Sequence, residues 1–115
     1  MQMDLDLSYL KDMAEGDEQL IVEMISIFEE QSSEYSSSMR LYYVQGNWKE
    51  LALLAHKAKP SAAVVGLNKL ADELRELEII SCEVKDPVRS LKIIEKYARE
   101  SKKAAEQLRK MFESV

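Results

Sequence analysis

The 115-residue chain has one cysteine, one histidine and one tryptophan, with three glycines and two prolines. The lone Cys82 closes no internal disulfide and completes no thiolate zinc cage, so nothing marks an oxidising compartment. So few turn formers exclude a turn-rich β fold and a glycine-rich phosphate loop. No apolar run approaches the ~18 residues of a membrane span. The start, Met1-Gln2-Met3-Asp4, lacks the basic-then-apolar order of a signal peptide. The cytoplasm is the expected location. The single His56 excludes histidine-rich metal sites and confines any Ser-His-Asp triad to its own neighbourhood. A net charge of -5, from 16 Lys and Arg against 21 Asp and Glu, repels nucleic acid on average. The cations look dispersed, and the densest pair, Lys102-Lys103, is flanked by acids.

What is present is 46% hydrophobic and 32% charged residues, the balance of a soluble globular protein. At this length one domain, residues 1–115, buries a sufficient core without staples. Helical periodicity runs nearly end to end. Asp6 is placed to cap a short helix with Leu7, Leu10 and Met13 or Ala14 on one side. Gly16 stops it, and Asp17 caps a long second helix. The spacing of Leu20, Met24, Ile27, Phe28, Gln31, Tyr35, Met39 and Tyr42 predicts its inner stripe, with the serines at 32–38 read as a solvated face. Gly46-Asn47 punctuates the chain, with Asn47 and Glu50 in capping-box spacing. A third helix then runs from Trp48 to about Val65, ending at Gly66. A fourth carries Leu70, Leu74, Leu77 and Ile79 or Ile80, with Cys82 half-buried near its end. Asp86-Pro87 supplies N-cap and first turn of a last helix. Its expected inner residues are Val88, Leu91, Ile94, Ala98, Ala105, Leu108 and Met111 or Phe112. Four long helices on short loops predict an all-α, antiparallel up-down four-helix bundle with a short N-terminal helix.

The third helix separates packing from chemistry. At about 100° per residue with Leu51 as zero, Leu51, Ala55, Ala58, Ala62 and Val65 fall within roughly 40° of one another's mean and face inward. His56 falls near 140° on that count, sideways and outward. Its neighbours on that face are Ala52, Lys59, Pro60 and Ala63. Three of them are compact, so another protein can approach the ring. Neutral imidazole is nucleophilic near pH 7, its unperturbed pKa being about 6.5. It can take a phosphoryl group from an acyl phosphate, and Lys59 is one turn away to neutralise the phosphate oxygens. With Leu53 and Val64 outward too, Ala52, Leu53, Pro60, Ala63 and Val64 are the expected docking surface. The chain itself offers no metal site there.

The stretch Ala55-His56-Lys57-Ala58-Lys59-Pro60-Ser61-Ala62-Ala63-Val64-Val65-Gly66-Leu67 resembles the signature of histidine-containing phosphotransfer (HPt) domains, roughly A-H-x-x-K-G-S-[SA]-x-x-[LIV]-G-[AL]. Leu70, Leu74 and Leu77-Glu78 fall where that family has its leucine run, and Asp6 to Leu10 with Gly16-Asp17 look like its opening segment. The resemblance spans about residues 5–110. It implies that His56 is the phosphorylated histidine, that Lys59 supports the phosphate, and that the phosphoryl group passes between receiver-domain aspartates in a two-component phosphorelay. It implies response-regulator receiver domains and a hybrid sensor histidine kinase as partner classes, no enzyme activity, and no cofactor in this chain, Mg²⁺ coming from the receiver. Nucleic acid and membrane are not expected partners, and a self-sufficient bundle is expected to be a monomer. Pro60 departs from the family's usual glycine. A proline inside a helix loses a hydrogen bond and crowds the carbonyl four residues back, here that of His56, which predicts a bend at this turn.

Three other readings compete. A phospho-acceptor hairpin of a histidine kinase has glutamate directly after its histidine, where this chain has Lys57, and pairs two-helix hairpins across a dimer. A helical adaptor would use the same face without phosphate chemistry, and replacing His56 would leave its binding intact. An enzyme with His56 as general base needs a pocket and a partner residue, which a convex face among alanines does not supply.

Overall fold

The computed structural model describes residues 3, 5–83 and 86–112, and all regular structure among them is helical. The elements are α1 (Ser8–Ala14), α2 (Glu18–Gln45), α3 (Trp48–Val64), α4 (Asn68–Cys82) and α5 (Pro87–Phe112). The last four form an up-down four-helix bundle, 44 Å long and 23 × 22 Å across. The tightest pairings are α3 with α4 and α2 with α5, and α1 packs on α2.

The helices start and stop where short-range chemistry says they should. Asp17 accepts hydrogen bonds from the N–H groups of Gln19 and Leu20, and Asn47 accepts one from Glu50. Asp86 accepts from the N–H of Arg89, with Pro87 in the first turn of α5. Asp6 accepts from the N–H of Ser8, and α1 begins at Ser8, one residue later than the sequence suggests. α2 closes at Gly46, whose φ of 68° is left-handed. Leu51, Ala55, Ala58, Ala62 and Val65 of the third-helix stretch are all fully buried, as their spacing predicts.

Two inner stripes are rotated from their expected positions. On α2 the buried residues are Ile21, Ile25, Phe28, Ser32, Ser36 and Met39, while Leu20 and Ile27 are exposed. The cause is that α2 pairs mainly with α5 rather than with α3. Serines fit that seam because they are small, and the Ser32 and Ser36 hydroxyls donate to the carbonyls of Glu29 and Ser33. The serine run is therefore half inside, not a wholly solvated face. On α5, Val88, Leu91 and Met111 are exposed, and Ser90, Tyr97, Ser101 and Ala104 are buried instead. Cys82 is exposed rather than half-buried. Trp48 packs edge-on against Tyr43, ring centroids 5.9 Å apart.

Ion pairs hold the register between helices. Arg40 binds Glu95 through two bonds of 2.9 and 3.0 Å, and Arg109 reaches Glu29 at 2.7 Å, both joining α2 to α5. Arg89 binds Glu76, and Lys96 binds Glu73, joining α5 to α4. Hydrogen bonds from these arginines hold the carboxyls of Glu29, Glu76 and Glu95 below the ordinary glutamate value. A carboxyl depressed in the folded state stabilises above its unfolded pKa and stops doing so as pH falls through its folded value. Thermal stability is therefore expected to be flat near neutrality and to fall below about pH 4.5, the ordinary glutamate range. A melting series across pH 3–7 checks this.

Candidate functional site

His56 sits in the middle of α3 on the edge that borders α4, with 65% of its side chain exposed. Its Nδ1 lies 3.1 Å from Glu78 Oε2 and 3.2 Å from Oε1. Lys59, one turn on, places Nζ 3.2 Å from Glu78 Oε1. One carboxylate on α4 thus bridges the histidine and the lysine of α3. Burial alone would raise the Glu78 carboxyl, but hydrogen bonds from Lys59 and His56, with the attraction of their charges, hold it below its ordinary value. It is ionised at neutral pH and can only accept. In the neutral ring the hydrogen therefore lies on Nδ1 and the lone pair on Nε2, the far side of the ring from Glu78.

Of the residues expected around the ring, Pro60 and Leu53 are exposed, Leu53 to 56%. Ala63 and Val64 are half-buried, and Val64 packs against the core. Ala52 is a correction: it is buried, 3% exposed, and does not belong to the accessible surface. It lies on the α4 side of α3, and the close α3–α4 pairing extends the buried arc past the stripe that α3 alone defines. Lys59 is half-buried rather than freely exposed, its head tied to Glu78. The helix continues unbroken past Pro60 to Val64, so the proline does not end it. The ring is on the open side of α3, where water can satisfy the carbonyl of His56.

Glu78 is the residue that reading α3 alone misses. It is 22 positions from His56 and on another helix. The available signal is its place directly after Leu77: one step beyond the inner stripe of α4, a side chain stands at the seam with the neighbouring helix.

A convex helix face carrying one oriented imidazole with a cation beside it defines a carrier or docking module. The Hpt domain family model matches residues 23–115, and the chain belongs to that family. The match begins inside α2, so α1 lies outside it. No curated protein and no solved structure matches the chain. Hpt domains are phosphocarrier modules rather than enzymes, and serve histidine phosphotransfer in two-component phosphorelays with receiver domains and histidine kinases. Among the described residues, no helix is long and apolar enough to cross a membrane, and no three His, Cys, Asp or Glu side chains are grouped as metal ligands would be.

Proposed function

We propose that residues 1–115 act as one phosphoryl carrier, with His56 Nε2 taking the group from a receiver-domain aspartate and passing it to another receiver. The observation that carries this reading is the Glu78 bridge. With Nδ1–H held by an ionised carboxylate, Nε2 presents its lone pair outward from a face open to a partner.

The step needs no proton transfer. The Nε2 lone pair forms a bond to phosphorus while the bond from phosphorus to the aspartyl oxygen breaks, and the electron pair leaves as carboxylate. The ring becomes a phosphorylated imidazolium that keeps its Nδ1 hydrogen, and the Glu78 carboxylate 3.1 Å away stabilises that positive charge. Mg²⁺ on the receiver supplies charge neutralisation on the donor side. Lys59 serves the phosphoryl oxygens by giving up Glu78, an exchange of one anionic partner for another. Leu53, Pro60, Ala63 and Val64 form the apolar surround on which the receiver rests.

The test offers labelled phosphate from a panel of phosphorylated receiver domains to the folded protein. Acid-labile, base-stable label is the expected result, with the fastest donor naming the partner. No label from any receiver, with the bundle shown folded, overturns the proposal in favour of the phosphate-independent adaptor.

The two roles of Glu78 separate by substitution. Glu78→Gln keeps an acceptor for Nδ1–H and is expected to preserve the transfer rate within a few-fold. Glu78→Ala frees the ring to rotate, and transfer should slow on the order of tenfold. Equal rates for the two variants would show that Glu78 does not position the ring.

A further inference from the structure

In the free protein the Glu78 carboxylate is shared, with the His56 ring on one side and the Lys59 ammonium on the other. On the carrier reading given above, loading the ring alters that sharing. Lys59 turns to the phosphoryl oxygens, and Glu78 is left to the Nδ1 hydrogen alone. The later departure of the phosphoryl group depends on that hydrogen. In departure the bond from phosphorus to Nε2 breaks, its electron pair returns to the nitrogen, and a receiver carboxylate or water takes the group. If Nδ1 still carries its hydrogen, the ring leaves as neutral imidazole. If Nδ1 has lost it, the ring must leave as an imidazolide anion, a far poorer leaving group. The phosphorylated ring is labile in the first form and durable in the second.

The charges around the ring leave the choice to one residue. On α3, Lys57 and Lys59 lie within a turn of His56, and Lys49 lies two turns before it. On α4, the edge that faces α3 carries Arg75 and Glu78 by helical spacing, and Arg75 is exposed. Asp72 is nearly two turns farther along α4, on its outer strip. α2 lies beyond the other flank of α3, where its Glu34 lines one groove with Lys57, and Glu50 of α3 points to that flank as well. Among the described residues Glu78 is thus the carboxylate in contact with the ring, and cations make up the rest of its near surroundings. A positive ring beside cations gives up its hydrogen easily, and an ionised carboxylate 3.1 Å away opposes that loss. The Glu78 side chain is only 30% exposed, so water and salt screen it in part.

We propose that Glu78 sets how readily the phosphoryl group leaves His56, by holding the Nδ1 hydrogen on the phosphorylated ring. Orienting the free ring needs only a hydrogen-bond acceptor, whereas holding the hydrogen on the loaded ring needs the negative charge. The domain is then built to hand its group on, not to store it, and stays so into mildly alkaline solution.

Phosphoramidate tests this without a receiver, since it gives its phosphoryl group to imidazole and releases ammonia. Wild type and Glu78→Gln are loaded with label and freed of donor, and the half-life of the label is followed between pH 6 and pH 9. Glutamine keeps an acceptor at Nδ1 but carries no charge, so a merely orienting role gives superimposed profiles. The expected result is similar half-lives at the acid end, where both loaded rings hold the hydrogen. Near pH 8 the glutamine variant should keep its label about tenfold longer. Glu76→Gln removes a carboxylate from the α5 side of α4 and should follow wild type. Circular dichroism confirms that all three fold. Superimposed profiles for wild type and Glu78→Gln overturn the proposal. So does an equal lengthening in Glu76→Gln, which would assign the effect to net charge instead of contact. Both outcomes leave the carrier reading standing, whereas a folded wild type that takes no label from any receiver overturns that reading and the proposal with it.

Discussion

His56→Gln is expected to take up no phosphoryl group from any receiver, a fall on the order of 10³-fold or more. Glutamine is close to histidine in reach, and its amide N–H can still donate to Glu78, so the surface and the bridge survive. It offers no nucleophilic nitrogen, because its lone pair is delocalised into the carbonyl. The substituted side chain is largely exposed, 65% in the native protein, so the melting temperature should move by little, within about 0.5 kcal/mol of stability. Labelled transfer with a parallel melting curve measures both. Label persisting on the folded glutamine variant would place the acceptor elsewhere and remove the basis for assigning Lys59 and Glu78 their roles.

Gly66→Ala should be the most destabilising small substitution in the chain. Gly66 has a φ of 82°, a left-handed backbone that side chains resist. A Cβ there would run into the backbone nitrogen, carbon and oxygen of Asp6. Backbone cannot swing aside as a side-chain tip can, and the Asp6 N–H also donates to the Gly66 carbonyl at 3.3 Å. Backbone strain and overpacking together should cost about 3 kcal/mol, which lowers the melting temperature by roughly 10 °C or more. Gly16 and Gly46 have similar φ values but nothing within 4 Å of a built Cβ. Alanine at either should cost only about 1 kcal/mol. Equal melting shifts at Gly46 and Gly66 would show that the leading segment does not hold the α3–α4 turn. His56 is more than two turns from Gly66 along α3, so the Gly66 variant should still accept label well below its melting point.

The same contrast between near and far governs what could be read before the fold was known. Asp17, Gly46-Asn47 and Asp86-Pro87 were legible because a cap acts on backbone groups within three or four residues. The outward aspect of His56 was legible because five buried positions of one stripe set the phase of α3. The resemblance around His56 and the family match agree over most of the chain. The inner stripes of α2 and α5 were not legible in the same way. Leu20, Ile27, Val88 and Leu91 are at least as apolar as the residues buried in their place, and Ser32, Ser36, Ser90 and Ser101 give no hydrophobic signal although all four are buried.

The sequence by itself determined the number of helices, the ends of the long ones to within a residue, the four-helix architecture and the exposed histidine, since each depends on periodicity and on contacts a few residues apart. Only the tertiary structure decided which face of α2 and α5 is covered, that Ala52 is buried, and that Glu78 holds both His56 and Lys59. A helix shows its partner an arc at least 100° wide, and which part of that arc is covered depends on the neighbour it packs against. That choice is made jointly by all the helices, so no single stretch of sequence contains it.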